Sequence, residues 1–214
     1  MARSADGKRT DVTARGASAA ARARDRARER ARFVRAFLSS PREVGALLPT
    51  SRRTVRAMLD LAPVERARLV VELGAGTGVH TREILRRLPP EGRLLAFEID
   101  AALADALAAE LRDPRLRVVA ESAANVEAHL DGEHADVIVS AVPFTSIGAA
   151  ARREILDASR RALAEDGTML VLQYSPLMRR ELERVFASVE RRLSLLNVPP
   201  AVLFACRGSR AAAP

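Results

Sequence analysis

The sequence predicts an α/β fold: a seven-stranded, mostly parallel sheet with helices on both faces and an antiparallel hairpin at its C-terminal edge. Three observations carry this expectation. Short apolar runs alternate with helical patterns from residue 68 to residue 186, and strands separated by helices pair in parallel. The strand candidates are apolar along their length, as befits strands covered on both faces. The last two runs are joined only by Asn197-Val198-Pro199-Pro200, a connection that suits a hairpin and not a helical crossover.

The elements follow in order. Pro49-Thr50-Ser51 makes a turn and an N-cap before a helix carrying Val55, Met58, Leu59 and Leu61. Arg68–Leu73 is the first strand, followed by a glycine-rich turn and a helix over Thr81–Leu88. Arg93–Ile99 is strand two, Ala102–Leu111 a helix and Arg115–Ala120 strand three. Asp136–Ala141 is strand four, Ala149–Ala164 a helix and Thr168–Tyr174 strand five. A helix over Met178–Phe186 precedes two short strands, Arg192–Leu196 and Ala201–Cys206.

Upstream, residues 1–18 are small, polar and aperiodic, which predicts a disordered leader. Residues 19–40 form a basic amphipathic helix, with Ala23, Ala27, Ala31, Val34 and Leu38 at three- and four-residue steps, and Ser39-Ser40-Pro41 stops it. The main domain is expected over residues 41–210.

With 214 residues, 48% hydrophobic and 29% charged, the chain has the composition of a globular protein large enough to hold a core without disulfides or metal. Cys206 is its only cysteine, which excludes an intrachain disulfide and any cysteine-cluster metal site. His80, His129 and His134 share no ligand spacing, so no metal is expected. The net charge of +8 at first suggests nucleic acid, but residues 1–32 hold ten basic side chains against four acidic ones and account for +6 of it. The near-neutral remainder argues against nucleic acid as a partner. No run of about 18 apolar residues spans a bilayer, and the Arg-rich start lacks the apolar segment of a secretory signal.

Val70-Val71-Glu72-Leu73-Gly74-Ala75-Gly76-Thr77-Gly78 places glycines at alternate positions between a strand and a helix. Glycine lets backbone turn sharply and approach a ligand, and the helix start adds free amides. A dinucleotide fingerprint fails, because its third glycine position is Val79. Leu95-Ala96-Phe97-Glu98-Ile99-Asp100 closes strand two with an acid, 26 residues beyond Glu72. In a doubly wound sheet such an acid sits beside the glycine turn and can accept both hydroxyls of a ribose, leaving Asp100 as the helix N-cap.

The G-x-G-x-G turn after an acid resembles motif I of the Rossmann-like class I methyltransferases, which bind S-adenosylmethionine (SAM) and release S-adenosylhomocysteine (SAH). The resemblance implies that Glu72 orients the loop and faces the methionine amino group, while Leu73, Gly74, Gly76, Thr77 and Gly78 cradle the cofactor and Glu98 and Ile99 meet the ribose. After strand three, many relatives have Gly-Asp-Ala; here Ala120-Glu121-Ser122-Ala123 stands instead, so Ser122 with Ala123, or Glu121, is left to meet adenine.

The end of strand four, Ser140-Ala141-Val142-Pro143-Phe144, occupies the place where methyl meets acceptor. It departs from the Asn/Asp-Pro-Pro-aromatic motif of base N-methyltransferases and resembles the Ser-x-x-Pro form of the soluble bacterial phospholipid N-methyltransferases. Phe33-Val34-Arg35-Ala36-Phe37 through Arg52, Gln173-Tyr174-Ser175-Pro176 and Asn197-Val198-Pro199-Pro200-Ala201 agree with that family. The resemblance implies methyl transfer to phosphatidylethanolamine and its methylated intermediates, yielding phosphatidylcholine. Tyr174 and Ser140 would lie nearest the chemistry, with Ser140 also touching the cofactor and Thr50, Ser51, Pro143 and Phe144 lining the acceptor.

The proton of the acceptor amine could pass to Tyr174, to Glu72 or to water. Arg28, Arg32, Phe33 and Phe37 on the basic helix would meet an anionic membrane surface, unless that helix is merely solvated. The expected protein is a monomer in the cytoplasm, held peripherally at the inner face of the cell membrane. An RNA adenine dimethyltransferase and a SAM-binding protein without turnover are the alternatives.

Overall fold

A computed structural model describes residues 50–197 and 199–209. Two units divide the chain, Met1–Ala46 and Leu47–Pro214, and every described residue belongs to the second. The expected leader, the basic helix and its membrane-facing Arg28, Arg32, Phe33 and Phe37 lie outside the described residues.

Seven strands form one sheet: β1 (Leu69–Leu73), β2 (Arg93–Phe97), β3 (Leu116–Val119), β4 (Ala135–Ser140), β5 (Leu163–Gln173), β6 (Phe186–Ser194) and β7 (Ala201–Ser209). Their order is β3-β2-β1-β4-β5-β7-β6. The first five pair in parallel, and β7 runs antiparallel between β5 and β6. The expected seven-stranded Rossmann-like sheet is therefore present.

Among the described residues five α-helices flank it: α1 (Arg52–Leu59), α2 (Val79–Arg87), α3 (Ala101–Glu110), α4 (Ala149–Ala162) and α5 (Arg179–Val185). Alternation along the strands divides the core between two faces. Val71, Leu73, Ile138 and Val171 pack with Leu156 of α4 and Leu182 of α5. Val70, Val137, Val139 and Leu170 pack with Val55, Met58 and Leu59 of α1 and Ile84 of α2. All five residues of β1 are buried, which is why it reads as an uninterrupted apolar run apart from Glu72.

The structure differs from the sequence reading near the C-terminus. The last helix ends at Val185, and β6 begins at Phe186, six residues before the expected strand. Ala187, Ser188, Glu190, Arg191 and Arg192 are exposed; β6 is an edge strand that sends only Phe186 and Val189 toward the core in its first part, so it carries no period-two apolar alternation. β7 likewise runs on to Ser209. A 3-10 helix over Ala123–His129, capped by the Ser122 hydroxyl, was also unexpected.

The chain order reverses at β1, which pairs with β2 on one side and β4 on the other. Such a reversal opens a crevice at the carboxyl ends of these strands, where α/β proteins bind ligands. Glu72 to Gly78, Glu98 and Ser140 all fall there.

Candidate active site

Three glycines shape the turn after β1, with φ of +78° at Gly74, +53° at Gly76 and +77° at Gly78. At Gly78 an added Cβ would collide with Leu107 Cδ1, so this glycine lets α2 and α3 pack together. At Gly76 an added Cβ would meet nothing within 4 Å. Gly76 therefore borders open space, and its positive φ suits a residue without a side chain.

The turn is held from β2. The amides of Gly74 and Ala75 both donate to the Phe97 carbonyl, at 2.9 and 3.0 Å. Glu98 Oε2 accepts from the Gly76 amide at 2.8 Å, and Oε1 accepts from the Asp100 amide at 2.9 Å. Glu98 thus supports the glycine turn, alongside the loop-orienting part that the resemblance implied for Glu72. Each Glu98 oxygen retains a lone pair for a further donor. Asp100 caps α3 as expected, its Oδ1 accepting from Ala102 and Leu103 amides.

Glu72 is fully buried; only the hydroxyl and amide of Thr81 approach its carboxylate, and neither completes a hydrogen bond of good geometry. Burial pushes its carboxyl up to about 7, an effect opposed by nearby Thr81 and reinforced by the charge of Glu98. The Thr81 hydroxyl and His80 Nε2 are also buried without partners. Burial lowers His80 to about 4, so it is neutral at pH 7. A buried unpaired carboxylate is costly, and a cationic ligand group would relieve it.

The remaining expected cofactor residues contribute unequally. Leu73 turns its side chain into the core and offers only backbone, its carbonyl accepting from the Ala141 amide. Thr77 is exposed and Ile99 half-buried. Ser122 accepts from the Ala124 amide at 3.3 Å, and Ala123 is buried below it. Glu121 bonds Asn125 and His129, which hold its carboxyl below the usual range. That commitment leaves the Ser122 hydroxyl proton as the free donor of the pair.

Around the acceptor position, Ser140 is fully buried at the end of β4, its hydroxyl 3.4 Å from the Val142 amide. Val142 and Pro143 are partly exposed. Phe144 does not line the acceptor: it packs into the core on the α4 side, fully buried. Gln173, which the sequence reading did not select, ties β5 to this loop by donating to the Val142 carbonyl at 2.8 Å.

Tyr174 meets a hydrogen-bonded clasp. Its hydroxyl lies 3.2 Å from Thr50 Oγ1 and 3.4 Å from Asn197 Nδ2. Asn197 Oδ1 accepts from the Ser51 amide at 2.8 Å, and Ser51 Oγ donates to the Leu196 carbonyl at 2.7 Å while accepting from the Thr54 amide. Ser51 is thus committed to capping α1 and holding the β6–β7 loop, and it has no hydroxyl proton to spare for an acceptor. Asn197, only 3% exposed, was missed as a site residue although its motif stood out, because nothing local ties it to residues 146 positions earlier.

Among the described residues no cluster of three or more His, Cys, Asp or Glu could hold a metal. Cys206 is buried in the core, which pushes its thiol up to about 12.

This arrangement suits SAM: an unpaired carboxylate for the methionine ammonium, a Cβ-free turn at a helix start, and a strand-two acid with lone pairs for a ribose. The comparisons agree. The family described as "Methyltransferase domain" matches residues 70–167. The ornithine lipid N-methyltransferase of Singulisphaera acidiphila is 30% identical over 181 residues, covering 82% of this chain and 94% of that protein. An rRNA methyltransferase of Streptomyces thermotolerans is 35% identical over 98 residues, covering 45% of this chain and 28% of that protein. Among solved structures, the N-methyltransferase NodS from Bradyrhizobium japonicum WM9, in complex with SAH, superposes with a TM-score of 0.66 at 14% identity, covering 83% of this chain and 99% of that one.

The chain belongs to the class I SAM-dependent methyltransferases. Within them it is an N-methyltransferase, with SAM as methyl donor and SAH as product.

Proposed function

We propose that the acceptor is the amine of a membrane lipid, and that phosphatidylethanolamine and its methylated intermediates are methylated stepwise to phosphatidylcholine. The observation that carries the lipid reading is the extent of similarity: the lipid-methylating relative matches 82% of this chain, whereas the rRNA methyltransferase matches 45%. The Ser140-led turn supports it, since it lacks the Asn or Asp that holds a planar base. The relative's own acceptor favours a second reading, the amine of an ornithine lipid.

Bound SAM supplies a methyl group on a sulfonium, already activated for in-line displacement. The protein's task is alignment and exclusion of water. Glu72 holds the methionine ammonium, Glu98, itself held by the Gly76 amide, fixes the ribose end, and Ser122 meets adenine. Ser140 and the Val142-Pro143 backbone border the reacting centre. Tyr174 faces the acceptor, with Thr50 and Asn197 holding its hydroxyl. The amine must shed its proton before the first transfer, because only a lone pair attacks carbon, and a poorly hydrated site favours the neutral amine.

Recruitment falls to the basic segment carrying Arg28, Arg32, Phe33 and Phe37 at the inner membrane face. Among the described residues no helix is long and apolar enough to cross a membrane. The test incubates the protein with labelled SAM and vesicles containing phosphatidylethanolamine, ornithine lipid or both. Label in phosphatidylethanolamine supports the first reading, and label only in ornithine lipid supports the second. Label in neither, with RNA labelled instead, refutes both. Deleting residues 1–32 is expected to reduce sedimentation with anionic vesicles.

A further inference from the structure

Among the described residues, the large apolar side chains left exposed are four leucines: Leu177 at 77%, Leu193 at 60%, Leu195 at 74% and Leu196 at 51%. Single exposed leucines are ordinary, but these share one edge of the sheet. Leu177 lies in the 3-10 turn Pro176–Met178, just beyond the carboxyl end of β5. Leu193 pairs with Val202, which pairs with Gln173 at that same end of β5. Leu195 and Leu196 follow in the β6–β7 loop. This is the edge that carries the glycine turn, Ser140 and Tyr174. Among the described residues no leucine is exposed in this way at the opposite edge, where Glu165, Asp166 and His134 stand.

The leucines are also held in place. The Leu196 carbonyl accepts from Ser51 Oγ, and neighbouring Asn197 is fixed by Ser51, Tyr174 and Pro199. A loop pinned by its backbone with apolar side chains outward is built to meet something apolar. Arginines flank it: Arg179 and Arg180 follow Leu177, and Arg191 and Arg192 precede Leu193. Arg179 pairs with Glu183, whereas Arg180, Arg191 and Arg192 are exposed and make no ion pair among the described residues. The nearby acids are engaged, Glu181 with Arg184 and Glu190 with Arg207.

We infer that Leu177, Leu193, Leu195 and Leu196 form a docking rim that dips into an anionic bilayer surface, with Arg180, Arg191 and Arg192 meeting lipid headgroups. Leucines below a ring of cations match the two attractions of an interfacial element, burial of apolar area and attraction to anionic lipid. The inference rests on the lipid reading above and adds to it a way in: a headgroup anchored by its acyl chains reaches Tyr174 only if the mouth of the site lies against the interface. The rim residues belong to the catalytic domain itself, in a different stretch of sequence from the basic residues 19–40.

The chain contains no tryptophan, which gives a local probe. In the full-length protein, Leu195→Trp is expected to shift to the blue and be quenched by brominated lipid in phosphatidylcholine vesicles containing phosphatidylglycerol. Asp166→Trp, at the opposite edge, is expected to do neither. Protein that sediments with vesicles while the Leu195→Trp signal stays unchanged overturns the inference, because another segment is then making the contact. Leu195→Ser with Leu196→Ser should weaken sedimentation about tenfold or more, with SAH affinity retained as proof of folding. Equal sedimentation of this variant overturns the rim. So does a concentration-dependent blue shift without vesicles, which assigns it to a second copy of the chain. Methyl incorporation is read with labelled SAM on the same vesicles supplemented with phosphatidylethanolamine and ornithine lipid, which bring the acceptor amines that phosphatidylcholine and phosphatidylglycerol lack: a docked protein that labels no lipid refutes the lipid reading and leaves the rim standing.

Discussion

On the β1–β2 side of the crevice the polar groups are left waiting: both Glu72 oxygens, the Thr81 hydroxyl and His80 Nε2 are buried and unpartnered. On the β5–β7 side they satisfy one another, with Tyr174, Thr50, Asn197 and Ser51 joined in one clasp. The first side holds electrostatic strain that a charged ligand relieves. The second is already complete, so an acceptor must fit beside a finished framework. Cofactor affinity should therefore depend on single charged groups, and acceptor handling on the geometry of the clasp.

The most damaging change to the first side is Glu98→Ala. It strands the Gly76 and Asp100 amides and removes the ribose partner, so SAH affinity by calorimetry should fall about a hundredfold or more, with a stability loss of roughly 2–4 kcal/mol. Gly76→Ala separates binding from folding. It costs only about 1–2 kcal/mol for the left-handed backbone, yet it places a methyl group in the ligand's space, and undiminished SAH affinity would refute the cradle.

Glu72 supplies a pH signature. Its folded pKa is raised, from the ordinary 4.5 to about 7, so the free protein is penalised above pH 7 and escapes the penalty below about 4.5. Glu72→Gln should accordingly stabilise the ligand-free protein at pH 8, by at most on the order of 3 kcal/mol, with little change at pH 4.5. SAH affinity of the unaltered protein should fall about tenfold for each pH unit below 7, as the carboxyl takes up the proton it must release to hold an ammonium. Affinity that is flat between pH 5.5 and 8 would remove Glu72 from the site.

On the second side the effects are smaller. Asn197→Ala should cost about 1–3 kcal/mol through the Ser51 amide and Tyr174 hydroxyl it leaves unpaired, with SAH affinity unchanged. Tyr174→Phe should lower kcat with little loss of stability. Loss of SAH binding in either variant would dissolve the distinction between the two sides.

The same division explains what the sequence could reveal. The cofactor side is written in local order, strand, glycine turn, helix, and its parts lie within 27 residues from Glu72 to Glu98. Even there, the support that Glu98 gives the Gly76 amide was not legible, because which acid reaches that amide depends on strand register and not on spacing. The acceptor side joins residues 124 and 146 positions apart, and no periodicity encodes such a contact. Phe144 was placed beside the acceptor by its motif, but whether an aromatic turns inward or outward after β4 is decided by α4 packing against it.

The clasp between Ser51 and the β6–β7 loop also bears on synthesis. The N-cap of the first described helix is completed by a segment made 146 positions later, and β7 must insert between β5 and β6 after both have been made. Such long-range closure slows folding and leaves the β5 edge bare on a nascent chain. The domain therefore gains its acceptor site only when translation of the hairpin is finished, and an unfinished chain holds a glycine cradle with nowhere to send a methyl group.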